Sequence, residues 1–492
     1  MPEKRQWDHE RLPIGGDWVM PSGTARSTLI SPATGEPIGS VPDASAQDVD
    51  RAVEAARSAF YDGPWAVMSG SDRADLLMSF SEGLLERSEE LIEAVSMSSG
   101  IPSSDTRNAT LPLLQFQLSA MAETARNETP ESIRPTALPF PVEARVRRAP
   151  LGVAAIIVPW NIPLLGSVVK LSNAWAAGCT TVLKPAIQTP LDALILAEIA
   201  VKAGFPPGVF NVVTGGVEAS RRLVEHPDVD IVNFTGSTAT GRVIAQACAK
   251  RLRRCTLELG GNAASIVLDD APLEQVAAGL VPISLALNNG EACIAQTRVI
   301  TTPSRRDELA AALADAAAKI RIGDPMDPHT VMGPLITDSH RAHVAELVES
   351  GRADGAKVVT GGGRPAGLDS GFYYEPTILT NVDNGMRVVR EEIFGPVITI
   401  LTAENEAEAI RIANDTEYGL SGSVWSADSD HALEVGRHLR AGSIWLNGVL
   451  LLDPAMPFGG WKDSGIGRDG GIEGFHEYSQ TQVLLRPSEV QA

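Results

Sequence analysis

The stretch 288–298, NNGEACIAQTR, sets one cysteine, Cys293, among small residues just after a glycine and an acid. A thiol attacks a carbonyl only as its thiolate. It therefore needs a base, donors for the charge that develops on the carbonyl oxygen, and a site for any redox partner. Several segments carry residues of those kinds. LELGG (257–261) places Glu258 between two leucines. A carboxylate without partners is costly there, and its pKa rises toward the range of a general base. An ion-paired or capping glutamate fits the pattern equally. PWNIP (159–163) holds Asn161 between prolines, so its amide could donate to an oxyanion or satisfy its own turn. In FTGSTATGR (234–242), Gly236 and Gly241 bracket a strand-to-helix turn whose N–H groups suit a phosphate. The spacing is neither a dinucleotide fingerprint nor a P-loop, and a plain tight turn fits as well. Lys184 closes TTVLKP (180–185), where it could reach a ribose or phosphate or stand in solvent.

The elements that must position these residues are legible in the patterning. Ser45 precedes SAQDVDRAVEAARSAF (45–60), with Asp48 at the third helical position and an apolar stripe of Val49, Ala52, Val53, Ala56 and Phe60. Residues 70–128 read as further helix, and the Pro-rich 129–150 as extended, exposed segments. From 151 the chain alternates. Strands 153–159, 180–185, 209–215 and 230–237 are separated by helices at 167–178, 190–204 and SRRLVEHP. That order predicts a parallel sheet with crossover helices and ligands beyond the strands' carboxyl ends. Those ends carry Asn161, Lys184, Gly215, Gly216, Thr235, Gly236 and Ser237. A second α/β region runs from about residue 260 to 460, with helices at 305–319 and 338–350 and strands at 396–401 and 442–448.

Composition narrows the function classes. The chain has 492 residues, 44% of them hydrophobic and 21% charged, enough for more than one domain with a large core. A net charge of −20 disfavours nucleic acid and anionic membranes as partners. The N-terminus has no signal-like apolar segment, and the four cysteines are scattered. Both features fit a reduced cytoplasmic protein. Cys179, Cys248 and Cys255 lack the company of Cys293 and read as structural. No metal spacing is present; His340 and His343 read as a solvated helix face.

Together the motifs resemble the aldehyde dehydrogenase superfamily along almost the whole chain. They run in order: IGGDW, SPATGEPIGSVPDAS, VPWNIPLL, VLKPAIQTPL, FTGSTATG, LELGGN, NNGEACIAQTR, MGPLI, EEIFGPV, NDTEYGLSGSVW and MPFGGWKDSGIGRDGG. The resemblance implies an NAD(P)-dependent, non-acylating enzyme. Cys293 attacks the aldehyde, the Asn161 amide and the Cys293 N–H hold the oxyanion, and hydride leaves for the nicotinamide. Glu258 then activates the water that hydrolyses the thioester. Lys170 stands where the family has a lysine near the catalytic asparagine. The cofactor is expected near Ile157, Pro159, Trp160, Lys184, Gly215, Gly236, Ser237 and Gly241, with Glu392 on the nicotinamide ribose and Phe394 beside the ring. Ile162, Gly166, Val169, Ile294, Leu452 and Phe458 occupy the substrate positions. They are mostly aliphatic and predict a hydrophobic aldehyde.

The implied architecture is α/β. It has a Rossmann-like cofactor domain (1–128 and 150–259), a catalytic domain (260–462), and a small β oligomerisation arm and tail (129–149 and 463–492). A homodimer or homotetramer is implied. The chain departs from the family pattern in three places. Ile187 replaces the usual ribose-binding glutamate, which leaves NAD first and NADP possible. Glu291 replaces a common glutamine and is expected to face away from the thiol and cap a helix. Asn262 stands where lysine is common, with no assignable consequence. Two rivals remain: a CoA-acylating relative, disfavoured by Glu258, and a Cys-dependent hydrolase or acyltransferase that would need no dinucleotide.

Overall fold

A computed structural model describes residues 6–128, 131–449 and 453–487. The helix Ala46–Tyr61 starts as its sequence predicts. The Ser45 hydroxyl accepts from Asp48 N–H while the Asp48 carboxylate accepts from Ser45 N–H. Its buried face is Val49, Ala52, Val53, Ala56 and Ala59. Ala59 takes the last position instead of Phe60, whose ring packs edge-on against Tyr61 at 4.9 Å.

The first sheet has six strands in the order Phe210–Val212, Thr180–Lys184, Val153–Ile157, Ile231–Thr235, Arg254–Glu258, Gly465–Ile466. The first five are parallel. Val153–Ile157, Thr180–Lys184 and Ile231–Thr235 are buried along their whole length, as expected of strands covered on both faces. The chain steps outward from Val153–Ile157 to Phe210–Val212, then returns to the other side at Ile231–Thr235. The switch point therefore lies between strands 153–157 and 231–235. Its two loops begin with Val158–Asn161 and Gly236–Ser237, at the predicted carboxyl ends.

Gly465–Ile466 pairs antiparallel with this sheet, Gly465 opposite Glu258. That pairing delivers Arg468 and Asp469 from far down the chain to the neighbourhood of Glu258. A second, seven-stranded sheet contains Ala264–Val267, Arg298–Thr301, Thr377–Thr380, Val397–Thr402, Ser421–Trp425 and Ser443–Leu446, all parallel, with Lys357–Thr360 antiparallel at one edge. A three-stranded antiparallel arm joins Glu131–Arg134, Val142–Pro150 and Ser479–Pro487.

The helical block 70–127 packs on the helices Pro163–Ala177 and Leu191–Lys202, which lie between it and the first sheet. The methyl of Ile199 fills the place a side chain would take at Gly83. Between Ser103–Asp105 and Leu111–Asn127 the block loosens into a π-helical turn, Thr106–Thr110.

Candidate active site

Cys293 follows a turn in which Asn288, Asn289 and Gly290 all have left-handed backbone (φ 48°, 62° and 80°). Such a run needs external support, and Asn289 supplies it. Its fully buried amide donates to the carbonyls of Gly100 (3.0 Å) and Pro334 (2.8 Å) and accepts from Gly333 N–H (2.6 Å). Gly290 packs flat against the Gly395–Pro396 backbone, where any side chain would collide. In the sequence, only the NNG triplet marks Asn289.

Two glycines explain why LELGG runs beside the thiol. A Cβ at Gly261 would overlap the Cys293 carbonyl oxygen, and one at Gly260 would overlap the Glu392 carboxylate. Gly261 N–H donates to Glu392 Oε1 (2.7 Å). The strand end thus threads between the Cys293 backbone and Glu392. Glu258, three residues earlier, is 4% exposed, and neither carboxyl oxygen has a hydrogen-bond partner. Burial, helped by the negative Asp469, pushes its carboxyl well above the usual range, while Lys170 and Arg468 pull it back. The Cys293 thiol is pushed up to about 12, first by burial and then by the charges of Glu392 and Glu258.

Asn161 is buried, and its Nδ2 donates to the Glu291 carbonyl (2.8 Å). That bond uses one N–H and aims the amide, leaving the other N–H for a ligand oxygen. Cys293, Asn161, Glu258 and Lys170 line one cavity of about 240 Å³. Lys170 is not free in it. Its ammonium binds Asp469 Oδ2 (2.5 Å) and Asn233 Oδ1 (2.5 Å), and Asn233 Nδ2 donates to Asp469 Oδ1 (3.0 Å) and to the Tyr478 hydroxyl (2.7 Å).

The cavity continues outward between apolar side chains. Ile162, Gly166, Val169, Ile294 and Phe458 line it, as the sequence suggested; Leu452 lies outside the described residues. The π-turn and the helix after it add Thr106, Ala109, Leu113 and Gln117, and the opposite side adds Leu287 and Met456. No sequence period marks a π-turn, so these residues were not anticipated. Asp453 stands at the exposed rim, but its Oδ1 accepts from Ala455 N–H within its own loop (2.9 Å).

At the sheet's carboxyl edge, Ile157 ends a strand, and Pro159 and Trp160 follow it. Lys184 ends the next strand and is 6% exposed; desolvation lowers its pKa to about 8, against the pull of Asp43. Gly215 is buried at φ 143°. The Phe234 ring occupies the space a side chain at Gly236 would need, and Ser237 caps the helix Thr238–Ala249. This twelve-residue helix begins at the sheet's carboxyl edge with exposed Ser237 and Ala239, a solvent-facing N-terminus of the kind that receives a phosphate. Gly241 has a different place: it is buried in the second turn, where its bare α-carbon makes room for Leu259. Glu392 is held on Gly261, with burial raising its carboxyl to about 7. Phe394 meets Trp160 edge-on at 5.4 Å. These residues fit a dinucleotide.

Three sequence expectations are revised. Glu291 does turn away from the thiol, but Thr337 caps the helix Asp338–Ala353, and the buried Glu291 carboxyl accepts instead from Ile336 N–H just before it (2.9 Å). His340 is not on a solvated face: Nε2 bonds the Phe394 carbonyl (2.7 Å), and the ring packs on Trp160. Asn262 acquires a role, donating to the carbonyls of Val389 (2.8 Å) and Arg390 (3.2 Å) and so anchoring the segment before Glu392. The other three cysteines form no disulfide, Cys179 and Cys248 in the core, with Cys179 Sγ donating to the Tyr478 carbonyl (3.3 Å), and Cys255 packed against it. Among the described residues no cluster of His, Cys, Asp or Glu could hold a metal, and no helix is long and apolar enough to cross a membrane.

The fold, compared with known proteins, is that of an NAD(P)-dependent oxidoreductase. Residues 18–484 match the aldehyde dehydrogenase family. Geranial dehydrogenase of Castellaniella defragrans is 43% identical over 473 residues, 96% of this chain and 98% of that one. The crystal structure of a Mycobacterium tuberculosis aldehyde dehydrogenase complexed with NAD+ superposes with a TM-score of 0.95 at 40% identity, covering 99% of this chain and 100% of that chain. Aldehyde dehydrogenase C of Pseudomonas syringae, solved as a cysteine-to-alanine mutant with NAD+ and octanal, gives 0.93 at 38% identity, covering 100% and 99%. The chain belongs to the aldehyde dehydrogenase family.

Proposed function

We propose that this enzyme oxidises long, uncharged hydrophobic aldehydes, aliphatic or terpenoid, to their acids through a thioester on Cys293. The single observation that carries this reading is the shared cavity. It contains a thiol, an amide with a spare N–H and an unpartnered carboxyl, and it opens through aliphatic walls. The names of two relatives, with geranial and octanal, point the same way.

The Cys293 thiol gives its proton to solvent water, and the thiolate bonds the aldehyde carbon as the C=O π pair moves to oxygen. The carbonyl oxygen takes the negative charge and accepts from the Asn161 amide and the Cys293 N–H. NAD(P), when bound, accepts the hydride. Ile157, Pro159, Trp160, Lys184, Gly215, Gly236, Ser237, Glu392 and Phe394 would hold it. Glu258, its carboxyl oxygens without hydrogen-bond partners and its pKa raised by burial, takes a proton, in its ionised form, from the water that cleaves the thioester. Lys170 acts through Asp469 beside Glu258.

NAD is the preferred cofactor, and Ile187 leaves NADP open because it brings no charge to repel a 2′-phosphate. The units proposed are 1–128 with 150–259 for the cofactor, 260–462 for catalysis, and 129–149 with 463–492 for assembly. Exposed Ile133, Val483 and Leu485 on the three-stranded arm support a homodimer or homotetramer. Cysteines free of disulfides suit a cytoplasmic setting.

The test is kcat/KM over octanal, geranial, a semialdehyde and betaine aldehyde with NAD and NADP. A preference for the charged substrates would refute the substrate class. Turnover by Cys293→Ala would refute the mechanism.

A further inference from the structure

Beside the nucleophile's turn lies a histidine that this reaction does not use. His340 is the third residue of the helix Asp338–Ala353, its backbone N–H fixed on the Thr337 hydroxyl (3.1 Å). Its side chain is 17% exposed. The ring meets the Trp160 indole edge-on at 5.6 Å and the Phe394 ring at 6.1 Å. Nε2 stands 2.7 Å from the Phe394 carbonyl oxygen. A carbonyl only accepts, so Nε2 carries the proton.

Phe394 needs that support. It is a non-glycine residue at φ 52°, a conformation that persists only where the surroundings enforce it. The same Nε2 is 3.6 Å from the Glu291 carboxyl, and the backbone carbonyl of Glu291 aims the Asn161 amide. One imidazole therefore touches the peptide that sets Phe394, the indole next to Asn161, and the residue that anchors Asn161.

We propose that His340 is a positioning residue for the dinucleotide: it fixes the Trp160–Phe394 wall and ties that wall to the Glu291–Asn161 link, so that the cofactor's reactive end is received in register with Cys293. The proposal rests on the reading of Cys293, Asn161 and NAD(P) given above. The ionisable groups facing the ring are Glu291 from the nucleophile's turn and His343 from its own helix. Burial and His343 hold the His340 pKa below its ordinary value, so near neutral pH the ring works as an uncharged donor. Glutamine could place a donor at the same carbonyl, whereas alanine and methionine could not.

The experiment uses the full-length enzyme and titrates NADH and NADPH by fluorescence without aldehyde, alongside kcat and both KM values. His340→Ala should weaken dinucleotide binding about tenfold, the loss expected when one hydrogen bond goes and its acceptor is left unpaired. The KM for aldehyde should stay within about twofold, and His340→Gln should recover most of the binding. His340→Met fills the volume without a donor and carries the comparison if alanine does not fold. Binding equal to wild type in the alanine and methionine variants overturns the proposal. So does a glutamine variant as impaired as alanine, because then only volume or folding matters. Cys293→Ala separates the two readings: it should bind dinucleotide normally while losing turnover. A wild-type protein that bound neither dinucleotide would remove the earlier reading and this proposal with it.

Discussion

Replacing Asn161 by alanine removes two things at once, and they can be measured apart. The first is the hydrogen bond to the Glu291 carbonyl, 2.8 Å in a buried setting. A buried acceptor left without its donor costs about 1–3 kcal/mol, so the variant should unfold at lower denaturant concentration. The second is the spare N–H offered to the developing oxyanion. Loss of one such donor costs about 2.7–4 kcal/mol, or about 10²–10³ in kcat. That donor works mainly in the transition state, so KM should change much less than kcat. The assay is NAD(P)H formation at saturating octanal, with KM from the same traces and a denaturant melt on the same preparation. A kcat within about threefold of wild type, in a protein destabilised as expected, would refute the oxyanion role and leave Asn161 a purely structural clamp.

Glu258→Gln should leave the first turnover intact and slow thioester hydrolysis about 10²–10⁴-fold, seen as a burst of NAD(P)H followed by a slow phase. Because burial raises the Glu258 carboxyl and the base form is the ionised one, wild-type kcat should climb with pH to values above the ordinary carboxylate range; Glu258→Gln should lose that limb. The same shift predicts a stability gain. The folded carboxyl pKa lies above its unfolded value of 4.5, so folding favours the protonated form and wild-type stability falls as pH rises through that interval. Denaturant melts of Glu258→Gln should therefore show an advantage over wild type that grows from about pH 4.5 upward. Gly261→Ala, whose Cβ would overlap the Cys293 carbonyl, should cut kcat severely while the protein still binds dinucleotide; unchanged kcat would mean that the backbone yields there at little cost.

Much of this was legible because it is local. The capping box at Ser45 and Asp48, the strand–helix alternation after residue 151 and the strand-end placement of Asn161, Lys184 and Glu258 follow from period and turn chemistry. What the sequence hid depends on contacts between distant segments. Asp469 reaches Lys170 only because Gly465–Ile466 pairs with the strand that carries Glu258. Asn289 is an ordinary polar residue until Gly100 and Pro334 close on it. His340 looks like any helix-surface histidine, three residues before another, until Phe394 turns its carbonyl toward it. The π-turn at Thr106–Thr110 changes which side chains of the helical block reach the cavity, and no hydrophobic period announces it.

The most direct test of the central claim is mass spectrometry of Glu258→Gln, quenched in acid after mixing with octanal and NAD. If Cys293 carries the reaction and Glu258 releases the product, an octanoyl group accumulates on the peptide containing Cys293, in step with the NADH burst. An NADH burst with no acyl group on that peptide, or the acyl group on Cys179, Cys248 or Cys255, would contradict it.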